Sequence, residues 1–91
     1  MPQDSKHSRI IVLELLSPAL SRASIPPHQV DDSLNIIDRG VVDSLGFLEL
    51  ISRIEHRAGV ELDLFDADPD LLTTVGGLID LLAEAAETEL S

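Results

Sequence analysis

The chain has 91 residues, enough for one modest core but not for a deep, enclosed active site. Six Lys+Arg against 17 Asp+Glu give a formal net charge of −11, which repels nucleic-acid backbones and anionic lipid. The absence of cysteine excludes disulfides, thiolate metal sites and a cysteine nucleophile, so any thiol chemistry must come from an attached group.

Apolar residues make up 44% of the chain, almost all of them Leu, Ile, Val and Ala, with two Phe and no Trp or Tyr. Aliphatic side chains at helical spacing suit a helix bundle, and the lack of aromatics counts against stacking on bases or sugars. The charge is uneven. Residues 1–30 hold Lys6, Arg9 and Arg22 against Asp4 and Glu14, a net of +1, so residues 31–91 carry −12. Such a surface suits a partner with a basic patch.

Taken in chain order, the first expected element is a helix. Ile10, Leu13, Leu16 and Leu20 fall near one face, with Ile11, Val12 and Leu15 widening it. Asp4 or Ser5 is the expected cap, and Pro18 should end or kink the helix near Ser17 or start one further turn. This stretch also has a basic start and an apolar run, but Glu14 interrupts it, and cleavage would remove a helix the core needs. No leader and no bilayer-spanning segment are expected, and the expected compartment is the cytoplasm.

Residues 21–43 read as a long ordered connection. Pro26-Pro27 stops any helix, Asp31, Asp32, Asn35, Asp38 and Gly40 are turn formers, and Leu34, Ile36, Ile37, Val41 and Val42 tuck the loop onto the helices. A connection this long in so small a domain is usually functional. Asp43-Ser44 then opens a helix over about 44–58, with Phe47, Leu50, Ile51, Ile54 and Ala58 as its buried stripe and Gly59 as its stop. Leu48, Glu49, Ser52, Glu55 and His56 lie away from that stripe. Pro69 starts a short helix over about 69–72, and Thr73 or Thr74 caps a last helix over about 75–88 whose inner face is Val75, Leu78, Ile79, Leu82 and Ala86. No strand is expected. The whole chain, 1–91, is expected to be a single domain with its core at about 5–88.

The sharpest local signal is Gly40-Val-Val-Asp43-Ser44-Leu45-Gly46-Phe-Leu-Glu-Leu50. It puts a serine at the mouth of a helix, where free N–H groups and the positive end of the dipole favour an anion such as a phosphodiester. Standing alone, an Asp-Ser before a helix is an ordinary cap. Here Asp43-Ser44-Leu45, the following helix through Glu61-Leu62, and Leu72-Thr-Thr-Val75 together resemble the acyl carrier protein family over about residues 8–85.

The resemblance implies an all-α four-helix bundle with a long first loop and a short third helix. It implies that Ser44, flanked by Asp43, receives 4′-phosphopantetheine from coenzyme A through a magnesium-dependent phosphopantetheinyl transferase. The arm's thiol then holds an acyl or aminoacyl group as a thioester, loaded by a ligase and consumed by a downstream transferase or synthase. The domain itself needs no catalytic residue. Leu45, Leu48 and Glu49 match the family's partner-recognition helix, and Ser52, Arg53, Glu55 and His56 complete the expected partner surface. Ser52 stands where fatty-acid carriers typically have Met, His56 replaces an acid, and Arg53 and Arg57 add positive charge. Those departures point to a specialised, stand-alone carrier, expected to be monomeric and to enter neither nucleic-acid complexes nor membranes.

Rival chemistries fit poorly. His56 is twelve positions beyond Ser44 on one helix, about 18 Å away, and Val42 stands where a hydrolase elbow has Gly. An EF-hand beginning at Asp66 would need Gly at 71 and Glu at 77, where the chain has Leu71 and Gly77. No metal site is expected. The alternative from another class is an acidic helical interaction module that works unmodified through Leu45, Leu48 and the acids around them.

Overall fold

The computed structural model describes residues 2–65 and 67–90, and side chains within 6–65 and 67–87. Four α-helices follow one another: α1 (Pro2–Arg22), α2 (Ser44–Ala58), α3 (Pro69–Leu72) and α4 (Val75–Leu90), with one 3₁₀ turn at Pro27–Gln29. Among the described residues there is no strand, only an isolated antiparallel bridge between Asn35 and Thr74. The fold is the all-α bundle that the sequence implies. α1 packs on both α2 and α4, and α3 lies against α4.

The ranges expected for α2 and α3 coincide with the observed helices, and α4 runs slightly further than 88. Each has a local cause. Gly59 ends α2 in the left-handed region, φ 70°, where glycine carries no Cβ penalty. Pro69 occupies the first turn of α3, where its missing N–H costs nothing, and Asp68 caps that turn by accepting from the Asp70 amide. Thr74 caps α4: its hydroxyl accepts from the Gly77 amide at 3.0 Å and donates to the Leu71 carbonyl at 2.7 Å, tying the end of α3 to the start of α4.

The first helix departs from expectation in three ways. It begins at Pro2, ahead of Asp4 and Ser5, so neither opens it, and their side chains lie outside those described. It continues through Pro18 to Arg22. Proline forfeits one backbone hydrogen bond, but the turn beyond it buries Ala19 and Leu20 in the core, which offsets that loss. The buried face is Ser8, Ile11, Val12, Leu16, Ala19 and Leu20, whereas Ile10 is exposed and Leu13 half-buried. Residues 10–13 are apolar without a break, so periodicity there does not choose a face and the neighbouring helices do.

The core is continuous. Leu16, Ile36, Ile54, Leu78, Ile79 and Leu82 are its largest fully buried side chains, with Phe47, Leu50 and Ile51 buried beside them. The expected α2 and α4 stripes are therefore the buried ones, with Ala58 and Ala86 at their half-buried margins.

The long connection is ordered by pairing with the α3–α4 junction. The Ile36 amide donates to the Thr73 carbonyl at 2.9 Å, the Val75 amide to Leu34 O at 3.0 Å and the Gly76 amide to Asp32 O at 2.9 Å. Asn35 is the hub. Its amide nitrogen donates to Thr73 Oγ1 at 2.8 Å, while its Oδ1 accepts from the Ile37 and Asp38 amides, both at 3.0 Å. The Val41 and Val42 amides then return to Ile36 O at 2.9 and 3.1 Å, closing a turn through Gly40 at φ 72°. Gly76 permits this approach, since a Cβ there would lie 2.8 Å from Asp32 Cβ.

Arg9 on α1 grips the same loop with two hydrogen bonds to the Asp32 carboxylate, at 2.8 and 3.0 Å. Those bonds hold the Asp32 carboxyl below its usual range and raise Arg9. A carboxyl whose pKa is depressed in the folded state stabilises above its unfolded value, near about 4, and loses that contribution as pH falls through the folded value. Both side chains are about half exposed, so solvent screening limits the contribution to about 1 kcal/mol or less. Asp32→Asn is expected to lower stability by that order at pH 7, with the gap from the parent closing as pH falls below about 4. Urea unfolding of both proteins across pH checks this, and a gap that persists at low pH would assign the loss to loop geometry instead.

Candidate functional site

Ser44 is the first residue of α2 and is exposed. The residue that caps the helix is Asp43. It sits in extended backbone, φ −91° and ψ −176°, and its carboxylate accepts from the Gly46 amide at 2.7 Å, while its carbonyl accepts from the Phe47 amide at 2.8 Å. Asp43 takes the cap position, which leaves the serine hydroxyl with no internal hydrogen bond among the described residues. Gly46 keeps this turn tight. A Cβ at Gly46 would sit 3.1 Å from Asp43 Oδ1 and 3.3 Å from Val42 Cβ, closer than ordinary contact.

Two conditions for an anionic ester on Ser44 are met here. Its oxygen is open to solvent, and the Ser44 and Leu45 amides, the first of the helix, are not consumed by other described groups. An ester phosphate beside them would meet N–H donors and the positive helix end. The residues present therefore fit a serine-linked phosphodiester. Among the described residues no base bonds Ser44, and the α2 histidine is His56, at the far end of the helix.

The site owes its place to the loop. Val41, buried, and Val42, half-buried, anchor the residues just before Asp43, and Phe47 and Leu50 seat the first turns of α2 in the core. Asn35, the hub of that loop, was read from the sequence only as a turn former. Its side-chain bond to Thr73, 38 positions away, has no local signature.

The expected partner surface divides in two. Leu45 and Leu48 are 69% and 56% exposed, beside an exposed Glu49, forming an apolar patch with an acidic edge on the helix that starts at Ser44. One or two turns on, Ser52, Arg53 and His56 are exposed and share a shallow concavity of about 490 Å³ with Leu15 and Arg57. Glu55 separates from this set. It is half-buried, and its carboxylate accepts from the Leu62 amide at 2.8 Å, so it braces the chain leaving α2. Arg57 is also engaged, donating to Glu14 of α1 at 2.6 Å.

Asp66 lies outside the described residues, Asp68 caps α3, and among the described residues no three His or carboxylate groups gather around a metal position. No helix among them is long and apolar enough to cross a membrane.

Replacing the cap and replacing the serine should have different effects. Asp43→Ala is expected to cost about 0.5–2 kcal/mol through loss of the Gly46 bond. Ser44→Ala, whose hydroxyl supports nothing in the fold, should stay within about 0.5 kcal/mol of the parent. Chemical denaturation of the two variants is the measurement, and the reverse ranking would return the capping role to Ser44.

Compared with known families, residues 11–82 match the family model described as phosphopantetheine attachment site. No individual curated protein and no solved structure matches the chain significantly.

Proposed function

The chain belongs to the phosphopantetheine attachment site family, a family of carriers that hold 4′-phosphopantetheine covalently, and from that premise we propose that Ser44 is the attachment residue. The observation that supports this most is the division of labour at the α2 mouth: Asp43 caps the helix and Ser44, next to it, is exposed and uncommitted. Ser44 supplies the oxygen of the new phosphodiester, which forms as the pyrophosphate of coenzyme A breaks and adenosine 3′,5′-bisphosphate leaves. Its proton leaves to a base of the transferase, since the carrier offers none.

The attached arm supplies a thiol that holds cargo as a thioester. The protein's own contribution is to orient the ester oxygen, offer two helix amides to the phosphate, and present α2 to each partner. Tethering raises the effective concentration of cargo at a partner's site without a new contact. Carriers of this kind work with a phosphopantetheinyl transferase and with biosynthetic enzymes that load and use the arm.

The cargo is an acyl or aminoacyl group of a specialised pathway, loaded by a dedicated ligase. Arg53 supports this reading. It is exposed and makes no ion pair within the described residues, on the helix that Ser44 opens. A docking site built of Lys and Arg, suited to an acidic carrier, would be repelled there.

Incubation with coenzyme A and a broad-specificity transferase should add one phosphopantetheine to the intact mass, and none to Ser44→Ala. Modification of the Ala variant at another serine would move the site, and an unmodified parent would favour the acidic interaction module instead. For the pathway, the arm-bearing protein with its thiol free is expected to be a poor substrate for a general malonyl transacylase and a good one for an adenylating ligase. Arg53→Glu should improve the former reaction severalfold, since each 1.4 kcal/mol is about tenfold. Efficient malonyl loading of the parent would contradict the specialised reading.

A further inference from the structure

A groove of about 500 Å³ runs between α3, α4 and the segment that follows α2. None of its lining residues precedes Glu61, so it is separate from Ser44 and from the exposed face of α2. Leu71, Leu72, Leu81 and Ala85 supply apolar surface to it, and Leu71 is 58% exposed. Glu61, Asp68, Asp80 and Glu84 stand among them with no Lys, Arg or His in the lining.

The groove is built rather than incidental. At Gly77 a Cβ would fall 1.7 Å from the Leu71 carbonyl oxygen, so glycine is what lets α3 seat this closely on α4. Thr74 bonds both Leu71 O and the Gly77 amide, which fixes the Leu71 end. Along α4 the lining runs from Gly77 to Ala85, about 12 Å or just over two helical turns.

We propose that this groove docks a basic amphipathic helix of a partner protein, with apolar side chains on Leu71, Leu81 and Ala85 and Lys or Arg facing the carboxylates. The charge pattern selects this occupant. A second copy of the chain would bring another −11 into contact with the same sign. A single cation would need carboxylates that converge, and among the described residues no three gather around a metal position. An elongated partner with several positive charges on one face matches both the spread and the apolar floor. A carrier could hold such a partner while Ser44 is served by another enzyme.

The test uses the full chain carrying its arm and, separately, Ser44→Ala. The probe is a synthetic amphipathic helix of roughly 18 residues with Leu on one face and Lys on the other, and a control with Glu in place of Lys. Amide shifts are followed by NMR. The Lys peptide should move signals at 67–72 and 77–85 in both proteins, and the Glu peptide should move none. Leu71→Ser should weaken binding about five- to tenfold, as loss of a docked leucine implies. Glu61→Gln with Asp80→Asn, both exposed, should weaken it and flatten its salt dependence, and serves if the Ser variant folds poorly. Shifts centred on Leu45 and Leu48, or unchanged affinity in both the Leu71 and the charge variants, would overturn the proposal. Because Ser44→Ala is expected to bind as the parent does, either outcome leaves the assignment of the attachment residue where it stands.

Discussion

Asp32, Leu34 and Ile36 exchange backbone hydrogen bonds with Thr73, Val75 and Gly76, and Asn35 adds a side-chain bond to Thr73. Without that pairing the connection from α1 to α2 would carry its polar backbone groups unpaired across the core, which a domain this small cannot offset. With it, Leu34 and Ile36 are buried and Val41 follows them in. The start of α2 is then held from behind by the loop and from the side by Phe47 and Leu50. The bundle's least regular segment thus fixes the position of the Ser44 hydroxyl, the atom proposed to carry the arm.

At that atom the chain separates holding from reacting. Capping is assigned to Asp43, tight approach to Gly46, and the hydroxyl of Ser44 is left outside every structural bond among the described residues. A serine used as the cap would have its oxygen engaged by an amide, and modification would then compete with the fold. Here the fold is indifferent to what Ser44 carries. That suits a carrier, whose chemistry resides in a covalently attached group while the protein contributes position and recognition.

The exposed surface is divided in chemical character. The first turns of α2 offer exposed leucines with an acidic edge. The end of that helix carries the exposed cation Arg53 beside His56, with Arg57 balanced by Glu14 on α1. The α3–α4 groove is uniformly acidic around an apolar floor. Surfaces of different sign on so small a body discriminate among partners by repulsion as much as by attraction.

The sequence by itself determined where the helices from Ser44 onward begin, because each carries a local start signal, Asp43-Ser44, Pro69 and Thr74, and it determined that α2 ends at Gly59. It also determined that Ser44 begins a helix and that Leu45 and Leu48 lie off the buried stripe, since a period of 3.6 residues places them. It did not determine the face of α1, where an unbroken apolar run at 10–13 satisfies several registers and only packing on α2 and α4 decides. Nor did it show that Pro18 would be carried inside a helix, which depends on burial of Ala19 and Leu20 by elements far along the chain. Glu55 looked like surface and is a brace for Leu62; Asn35 looked like a turn and is the hub of the loop. Local rules report which atoms a residue can offer. Which partner takes them up across 38 positions is decided only when the core closes and every buried polar group must be paired.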